Sequence, residues 1–237
     1  MKLDVLVIGP HPDDAELGAG GIILSLVARG QRVGILDLTR GEMGTRGNVD
    51  ERRAEAEEAG KRLGVVVRRQ AGLPDGGLAN LQDQQRVLVP IIRELQPRVV
   101  LAPMHGDRHP DHEAAHFLVR DACYFSGLSR IAANAAPFRP EQVYFYSVYQ
   151  DAVAPAGVFD ISAVFEQKLH ALRAYASQLH NPEYAGAQTY VASQAFWDSI
   201  ADRARYWGSR IGVDYGEPVF ADAPLKLVSL PGLEGTL

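Results

Sequence analysis

The feature that most constrains the fold is an apolar segment near the beginning of the chain that runs directly into polar, chemically active residues. Leu3–Gly9 is a nearly continuous apolar run, which is typical of a strand buried on both faces of a parallel sheet. It is followed by PHPDDAELGAGG at positions 10–21. One imidazole and two adjacent carboxylates therefore stand where the strand ends and a helix begins, and these groups are typical ligands of a divalent metal.

The rest of the first 125 residues alternates between the periods of strands and helices. The predicted strands are Leu3–Gly9, Val33–Thr39, Val65–Gln70 and Val99–Pro103, and the predicted helices are Ala15–Arg29, Asp50–Leu63, Asp83–Leu95 and Pro110 to about Phe125. Such alternation predicts an α/β protein with a Rossmann-like, mostly parallel sheet that carries helices on both faces.

The pattern changes after Gly127. Here we predict strands at Gln142–Tyr149 and Phe159–Ile161, helices at Ser162–Gln178 and Ser193–Tyr206, a loop at Asn181–Tyr190 and an irregular tail. The sequence contains no repeat and no clear linker. We therefore expect a single domain over residues 1–237, with a Rossmann-like core at 1–125 and a C-terminal elaboration at 126–237 that completes the pocket.

The composition limits the classes of partner. The chain has 237 residues, of which 46% are hydrophobic and 22% charged, with a net charge of −5 and a pI of about 5.8. This balance argues against a nucleic-acid or membrane surface. The only cysteine, Cys123, excludes an internal disulfide and a cysteine-based zinc site, and we expect it to be a buried small residue. The first apolar run is too short for a signal peptide, so we expect a cytoplasmic protein.

The second half of the candidate site follows the strand that ends at Pro103. Four of the seven histidines lie within twelve residues here, at His105, His109, His112 and His116. Because ligands of open parallel sheets bind beyond the carboxyl ends of the strands, we expect this segment to meet the one after Gly9. A catalytic zinc site needs three protein ligands, a carboxylate base and a group that stabilises the oxyanion. The two segments contain these parts with one aspartate left over.

The two segments together resemble the zinc-dependent N-deacetylases of the PIG-L/LmbE type, which act on conjugates of N-acetylglucosamine. The resemblance is closer to the bacillithiol-biosynthesis branch. It rests on PHPDDAELGAGG, LDLTRGEMGTRG at 36–47, LPDGGL at 73–78, APMHGDRHPDH at 102–112, YASQ at 175–178 and YWGSRIGVDYGEPV at 206–219. It extends in order over nearly the whole chain, so it is more specific than any single motif.

The resemblance implies a role for individual residues. It implies that His11, Asp14 and His112 bind zinc, that Asp13 is the general base, and that His109 polarises the amide carbonyl, with Asp111 orienting and charging His109. It also implies that Arg52, Arg139 and Tyr190 line the substrate pocket. In the branch named above the substrate is N-acetyl-α-D-glucosaminyl L-malate, and its two carboxylates suit bidentate arginine contacts. Arg46 is a further candidate for that contact.

Several alternatives remain open at this level. His112 and His116 are four residues apart, a spacing that can form a two-histidine zinc face, although we favour His112 alone because the helix begins at Pro110. Fe²⁺ or another divalent metal is also compatible with two histidines and one aspartate. The substrate can instead be diacetylchitobiose or a mycothiol-type conjugate. The resemblance further implies a homo-oligomer, commonly a hexamer.

Two interpretations from other classes compete with the hydrolase. A dinucleotide-binding protein is suggested by Gly18-Ala19-Gly20-Gly21 after a strand and by Asp37 at the end of the next one. The fingerprint then requires a glycine at position 23, where the chain has Ile23, and the turn holds charged residues where a pyrophosphate needs bare backbone. A metal-binding protein without catalytic activity would need neither Asp13 nor His109. We therefore favour the hydrolase.

Overall fold

The centre of the fold is a five-stranded parallel sheet with the strand order β3–β2–β1–β4–β5. The structure is a computed structural model that describes residues 2–151 and 153–225. The strands of this sheet are β1 Val5–Gly9, β2 Val33–Asp37, β3 Val67–Gln70, β4 Val99–Pro103 and β5 Gln142–Tyr146. β6 Gly157–Asp160 and β7 Gly216–Val219 form a separate antiparallel pair. The predicted α/β class is confirmed, and the central sheet continues past residue 125 through β5.

Helices cover both faces of the sheet. They are α1 Asp14–Ala28, α2 Val49–Leu63, α3 Gln82–Leu95, α4 Pro110–Ser126, α5 Phe165–Leu172 and α6 Gln194–Ser209. Alternate side chains of β1 enter different cores, because successive residues of a strand point to opposite faces. Val5 and Val7 pack with α1, α2 and α5, whereas Leu6 and Ile8 pack with α3 and α4. Among the described residues, no helix combines the length and the apolar character that crossing a membrane requires.

Local signals fix several helix ends, and α2 begins at Val49, one residue before its predicted start. The Asn48 side chain accepts a hydrogen bond from the Glu51 backbone N–H at 3.0 Å and so caps the first turn of α2. Gly64 ends that helix with a left-handed φ of 74°. At α4, Pro110 occupies the first turn, where its missing N–H costs nothing. These signals fix where the helices begin relative to the strand ends.

The helix predicted at Ser162–Gln178 is wrong in its second half. A 3-10 turn at Ser162–Val164 precedes α5, and α5 ends at Leu172. Tertiary contacts explain the early end. The Ser177 backbone N–H donates to Glu55 at 2.6 Å, and the Ser177 carbonyl accepts from Arg46 at 2.6 Å. The main chain around residue 177 therefore bonds to α2 and to the preceding loop rather than to its own helix.

The tail is also less irregular than predicted. β7 pairs with β6, and the next residue, Phe220, bridges Phe145 of β5 through two backbone hydrogen bonds. Gly216 and Pro218 are poor strand formers, so no strand signal is present in the sequence here. The remainder of the predicted irregular tail, 226–237, lies outside the described residues.

The glycine run of α1 serves packing inside the protein. A Cβ atom at Gly18 would lie 2.2 Å from the Tyr146 ring, and one at Gly21 would lie 2.6 Å from Ile161. Because glycine has no side chain, the buried backbone of α1 also receives two charged side chains from the C-terminal half. Glu217 accepts from the backbone N–H groups of Gly21 and Ile22 at 3.0 and 2.7 Å, and its buried partner Lys168 donates to the Leu17 carbonyl at 2.7 Å. The run is thus occupied by protein atoms.

Asp37, the other half of the dinucleotide pattern, has a partner within the protein. Its carboxylate accepts two hydrogen bonds from the Arg68 guanidinium, both at 2.8 Å. Burial raises the pKa of Asp37, although Arg68 opposes that rise. Arg68 also binds Glu16, so this cluster ties α1, β2 and β3 together. These contacts agree with the rejection of the dinucleotide-binding hypothesis.

Candidate active site

A cleft of about 300 Å³ opens where the central strands end. β1 and β4 are hydrogen-bonded neighbours in the sheet, so the turns after them lie side by side. The cleft lies where ligands of open α/β sheets bind. Its polar wall is formed by His11, Asp13, Asp14, Thr45, Arg46, Arg52, Asp75, Arg108, His109, Tyr149, Gln178 and Thr189.

Three donor atoms converge at the base of the cleft. Asp14 Oδ2 lies 3.0 Å from His11 Nδ1 and 3.1 Å from His112 Nε2. All three side chains are nearly buried. Ligands about 2.1 Å from a tetrahedral metal stand about 3.4 Å from each other, so the observed separations are close to those of a metal site. The structure thus brings together the three residues expected to bind metal, although His112 lies far from His11 and Asp14 in the sequence.

A carboxylate stands behind each of the two imidazoles. His112 Nδ1 lies 3.4 Å from Asp107 Oδ2. His11 Nε2 lies 3.0 Å from Asp75 Oδ1 and 3.2 Å from Asp111 Oδ2. Carboxylates in this position fix the orientation of a metal-binding imidazole and increase its basicity. The arrangement leaves His11 Nδ1 and His112 Nε2 facing the same point beside Asp14.

The state of His112 fits a metal ligand. Both of its ring nitrogens are buried and make no well-aligned hydrogen bond within the described residues, although the carboxylates of Asp14 and Asp107 lie 3.1 and 3.4 Å away. Burial alone would lower the pKa of His112, but Asp14 and Asp107 raise it to about 9. Burial likewise opposes ionisation of Asp14, yet His112 and His11 hold its pKa well below the usual range. A site that attracts a proton this strongly also attracts a divalent cation, which replaces the proton.

His109 adds a fourth donor at the same place. Ring nitrogens of His11, His109 and His112 lie within 4.8 Å of one another. His109 is less buried than the other two, and it also lines the open cleft. It therefore has access both to the metal position and to a substrate.

Asp13 has an unusual backbone. It precedes α1 with a φ of 112°, in the left-handed region, where a residue other than glycine carries about 1–3 kcal/mol of strain. Its side chain does not cap the helix and instead lines the cleft. Burial raises the pKa of Asp13 to about 7, although Arg52, with Nη2 3.7 Å from Asp13 Oδ2, opposes this. A carboxylate with such a pKa is well suited to accept a proton near neutral pH.

The expected contact between the Asp111 carboxylate and His109 is absent. The carboxylate accepts hydrogen bonds from the backbone of Gly76 and Leu78 and lies against His11. Only the Asp111 backbone N–H reaches His109, where it donates to Nδ1 at 3.2 Å. Burial together with His11 and His112 lowers the pKa of His109. Because α4 begins between the two residues, their side chains diverge. The Asp111 carboxylate therefore orients His11, and its charge does not offset the effects that lower the pKa of His109.

Arg46 and Arg52 both form part of the cleft wall. Arg52 donates to the carbonyl groups of Gly41 and Pro12 at 2.9 and 2.8 Å, and its buried Nε makes no hydrogen bond within residues 2–151 and 153–225. Arg46 donates to the carbonyl groups of Ser177 and Ala187, and its buried Nη2 likewise makes none within that part of the chain. Each arginine is thus held in place by backbone carbonyls.

The other two predicted substrate residues lie farther out. Arg139 is outside the cleft, where it donates to the Tyr124 carbonyl at 3.0 and 3.2 Å and stacks on the Tyr124 ring. Tyr190 is exposed, but Arg108 stacks on it at 4.7 Å and also on Tyr149 at 4.3 Å. The structure therefore places Tyr190 at the rim and Arg139 at the end of α4.

Some site residues were not predicted. Asp75 lies in a loop between β3 and α3, and its only sequence signal is its place in the LPDGGL segment. Arg108 lies inside the histidine-rich segment, but no pattern in the sequence distinguishes it from a surface arginine. Tyr149 follows β5, and its backbone N–H donates to Asp107 at 3.0 Å. Such residues reach the site through loops, which carry no periodic pattern.

Comparisons with known proteins agree on one family. Residues 6–123 match the family model described as PIG-L, GlcNAc-PI de-N-acetylase. Diacetylchitobiose deacetylase from Thermococcus kodakarensis is 32% identical over 230 residues, which cover 91% of this chain and 81% of that protein. A probable N-acetyl-α-D-glucosaminyl L-malate deacetylase 2 from Bacillus anthracis is 31% identical over 188 residues, which cover 73% of this chain and 80% of that protein.

A solved structure shares the whole fold. A conserved protein from Thermus thermophilus is 41% identical to this chain and superposes with a TM-score of 0.86. The match covers 96% of this chain and 98% of that one. The similarity includes both the sheet and the C-terminal elements that complete the cleft.

Proposed function

Since this chain belongs to the PIG-L family and is an N-deacetylase, a hydrolase of amide bonds, we propose that it removes the acetyl group from N-acetyl-α-D-glucosaminyl L-malate with a divalent metal, zinc in the first instance. The observation that supports the chemistry most directly is the convergence of His11, Asp14 and His112 beside the cleft. When bound there, a divalent metal supplies a Lewis acid for the amide carbonyl and lowers the pKa of water towards neutrality.

Asp13 is the proposed general base. Its carboxylate lines the cleft next to Asp14 but is not part of the converging donor set, so it remains free to accept the proton of the attacking water. Later it can return that proton to the leaving amine, which makes one residue serve as base and then as acid. Arg52, 3.7 Å away, orients the carboxylate and limits how far burial can raise its pKa.

His109 is the proposed stabiliser of the oxyanion. Its Nδ1 accepts the Asp111 backbone N–H, so a neutral ring carries its proton on Nε2. A donor fixed in this way can bond the oxygen of the amide as negative charge develops there, without a change in its own protonation. This differs from the imidazolium expected from the sequence, and it agrees with the lowered pKa of His109.

The arginines support an anionic substrate. Arg46, Arg52 and Arg108 all line the cleft, and Arg108 stands at the rim over Tyr149. Guanidinium groups recognise carboxylates by paired hydrogen bonds, and the malate part of the proposed substrate carries two carboxylates. The aglycone is expected to lie near Arg108, because the rim is the part of the cleft that can accept a group beyond the sugar.

Diacetylchitobiose is the second candidate substrate. The Thermococcus enzyme that carries this name aligns with 91% of the chain, a larger share than the Bacillus enzyme does. A neutral disaccharide has no carboxylate for the arginines to bind. The two candidates therefore differ in their dependence on positive charge at the rim.

The test compares both substrates and N-acetylglucosamine itself. The protein is stripped with a chelator, reconstituted with Zn²⁺, and the release of free amine is measured. We expect a kcat/KM for the malate conjugate well above that for the neutral sugars. Activity confined to the neutral sugars would leave the deacetylase but refute the malate assignment. Absence of release from all three substrates by metal-loaded protein would refute both.

One variant pair tests the role of charge at the rim. Arg108→Gln removes an exposed guanidinium. We expect the KM for the malate conjugate to rise by about 10- to 150-fold while kcat for N-acetylglucosamine is unchanged, because a hydrogen bond to a charged group is worth about 1.5–3 kcal/mol. Arg98→Gln is the matched control, since Arg98 is an exposed arginine paired with Glu141 outside the cleft. An equal effect of both variants would argue against a contact with the substrate.

A further inference from the structure

A second group of metal-ligating side chains lies outside the cleft. Donor atoms of His105, His116 and Asp222 all lie within 4.8 Å of one another. His116 is on α4, one helical turn after His112, so the two histidines belong to adjacent but different clusters. His105 follows β4, and Asp222 follows the Phe220 bridge to β5. The segment that carries Asp222, distant in sequence, thus meets the two histidines at one point.

His116 is oriented as a metal ligand usually is. It is 1% exposed, and its Nδ1 lies 3.2 Å from the Pro103 carbonyl oxygen. Because a carbonyl only accepts, Nδ1 carries the proton and Nε2 has the free lone pair. Donation of one ring N–H to a carbonyl is the common way in which proteins orient a metal-binding histidine. Nothing in the proposed deacetylation uses this side chain.

The distances suit a small divalent cation. His116 Nε2 lies 3.4 Å from Asp222 Oδ2, which is the separation of about 3.4 Å between two ligands each about 2.1 Å from a tetrahedral ion. His105 meets His116 with its ring edge-on, at a centroid distance of 4.9 Å. Within the described part of the chain, the ring nitrogens of His105 make no hydrogen bond. His105 is half-buried, so its ring can turn towards the ion.

The guanidinium of Arg120 also approaches the cluster. Arg120 Nη1 lies 3.9 Å from Asp222 Oδ2, and its own side chain is 44% exposed. An exposed ion pair at this distance contributes little, so Arg120 can leave Asp222 to a metal. Two aromatic rings, those of Phe117 and Phe145, pack on His116. The cluster therefore has an apolar wall on the side of His116.

We propose that His105, His116 and Asp222 bind a second divalent metal ion of the zinc class, with solvent completing the coordination. Two imidazoles and one carboxylate are ligands that zinc accepts, and three protein ligands leave one position open. The ion would join α4 and the end of β4 to the segment after β7. Its role is structural, since it lies outside the cleft and ties the segment after β7 to α4, the helix that carries His112.

The test counts metal ions per chain. Protein stripped with a chelator is reloaded with Zn²⁺, passed through a desalting column and measured by elemental analysis, with circular dichroism to verify folding. The same count is made in two backgrounds: the wild type, and a His11→Gln/Asp14→Asn variant that removes the ligands proposed for the active site. Because the readout is metal content, failure of the proposed substrate or of the deacetylation has no effect on it.

Two variants on the accessible side of the cluster avoid disturbing the core. We expect Asp222→Asn and His105→Gln each to lower the count by one ion in both backgrounds. The affinity of this site for Zn²⁺, measured by competition with a chromophoric chelator, should fall by more than about 100-fold, which exceeds the loss usual for a residue that only hydrogen-bonds to a ligand. His170→Gln, a change at an exposed histidine, is the control and should keep the count. Counts for Asp222→Asn and His105→Gln equal to those of their parents would overturn the proposal.

Discussion

The buried ion pair between Lys168 and Glu217 offers the sharpest test of how the C-terminal half supports the active site. Lys168 Nζ lies 2.6 Å from Glu217 Oε1, and both side chains are 4% exposed. The pair packs on the backbone of α1, the helix that begins at Asp14. The perturbation is Glu217→Gln, which keeps the shape of the side chain and removes its charge.

Two effects determine the magnitude. The change leaves the Lys168 ammonium without a carboxylate in a buried place, which costs about 3–5 kcal/mol. It also replaces one acceptor oxygen with an amide group. In the wild type, Oε1 and Oε2 accept from the backbone N–H groups of Gly21 and Ile22 respectively. In the variant, one of these N–H groups faces the side-chain NH2 of the glutamine, which is itself a donor. We expect a loss of about 3–5 kcal/mol in the free energy of unfolding, which corresponds to a fall in Tm of about 6–20 °C for a domain of this size.

The assay is urea denaturation followed by far-UV circular dichroism, in which the midpoint is compared at constant slope. Lys168→Met and the double variant complete a thermodynamic cycle. We expect the double variant to cost less than the sum of the two single changes by about 1–3 kcal/mol, since the two side chains are in contact. Glu58→Gln is the control, because Glu58 pairs with Arg62 on an exposed face of α2 and its removal should not shift the midpoint.

The reasoning would be refuted by a Glu217→Gln protein with an unfolding midpoint within error of the wild type, or by strict additivity of the two single variants. Either result would mean that the ammonium and the carboxylate do not depend on each other in the folded state. The insertion into α1 would then be a packing contact without electrostatic consequence.

Four other residues yield predictions that can be checked one by one. Asp13→Asn should keep the metal content and lower kcat by about 100- to 10,000-fold; wild-type turnover would exclude Asp13 as the base. Asp107→Asn should weaken zinc affinity by about 10- to 100-fold, measured by competition with a chelator, and an unchanged affinity would remove it as the partner of His112. Gly18→Ala should lower stability in urea by about 1–3 kcal/mol because its Cβ would lie 2.2 Å from the Tyr146 ring, and a neutral change would contradict the packing. Burial raises the pKa of the Cys123 thiol to about 12, so iodoacetamide at pH 8 should label only denatured protein, and labelling of native protein would show that this site opens.

The parts of the structure that follow from short sequence signals were predictable. Apolar runs predicted the four strands β1 to β4. Because the carboxyl ends of parallel strands lie at the same edge of a sheet, the turns that carry His11 and His112 were expected to meet although they are distant in the sequence. The N-cap at Asn48 and the glycine at 64 indicate the ends of α2 to within a residue. Each of these inferences depends on contacts within one element or between adjacent strands.

Other features depend on contacts that no local pattern reports. Asp111 is two residues from His109, yet its carboxylate faces His11, and only the start of α4 decides this. Lys168 and Glu217 are charged residues that a sequence pattern assigns to the surface, and they are buried because they meet each other and bare helix backbone. Arg139 was expected in the pocket from the resemblance, whereas the fold directs it to Tyr124. These outcomes are fixed by tertiary geometry.

The two outer strands of the sheet limit how copies of this chain can associate. An open strand edge invites another strand to pair with it, and natural proteins block such edges. Beyond β5, backbone pairing with Phe220 occupies part of the edge. At the other side, β3 is four residues long and carries Arg68 turned inward and Arg69 turned outward to Glu94. Neither edge suits strand addition, so we expect any homo-oligomer to form through helices and loops, with its sheets remaining separate.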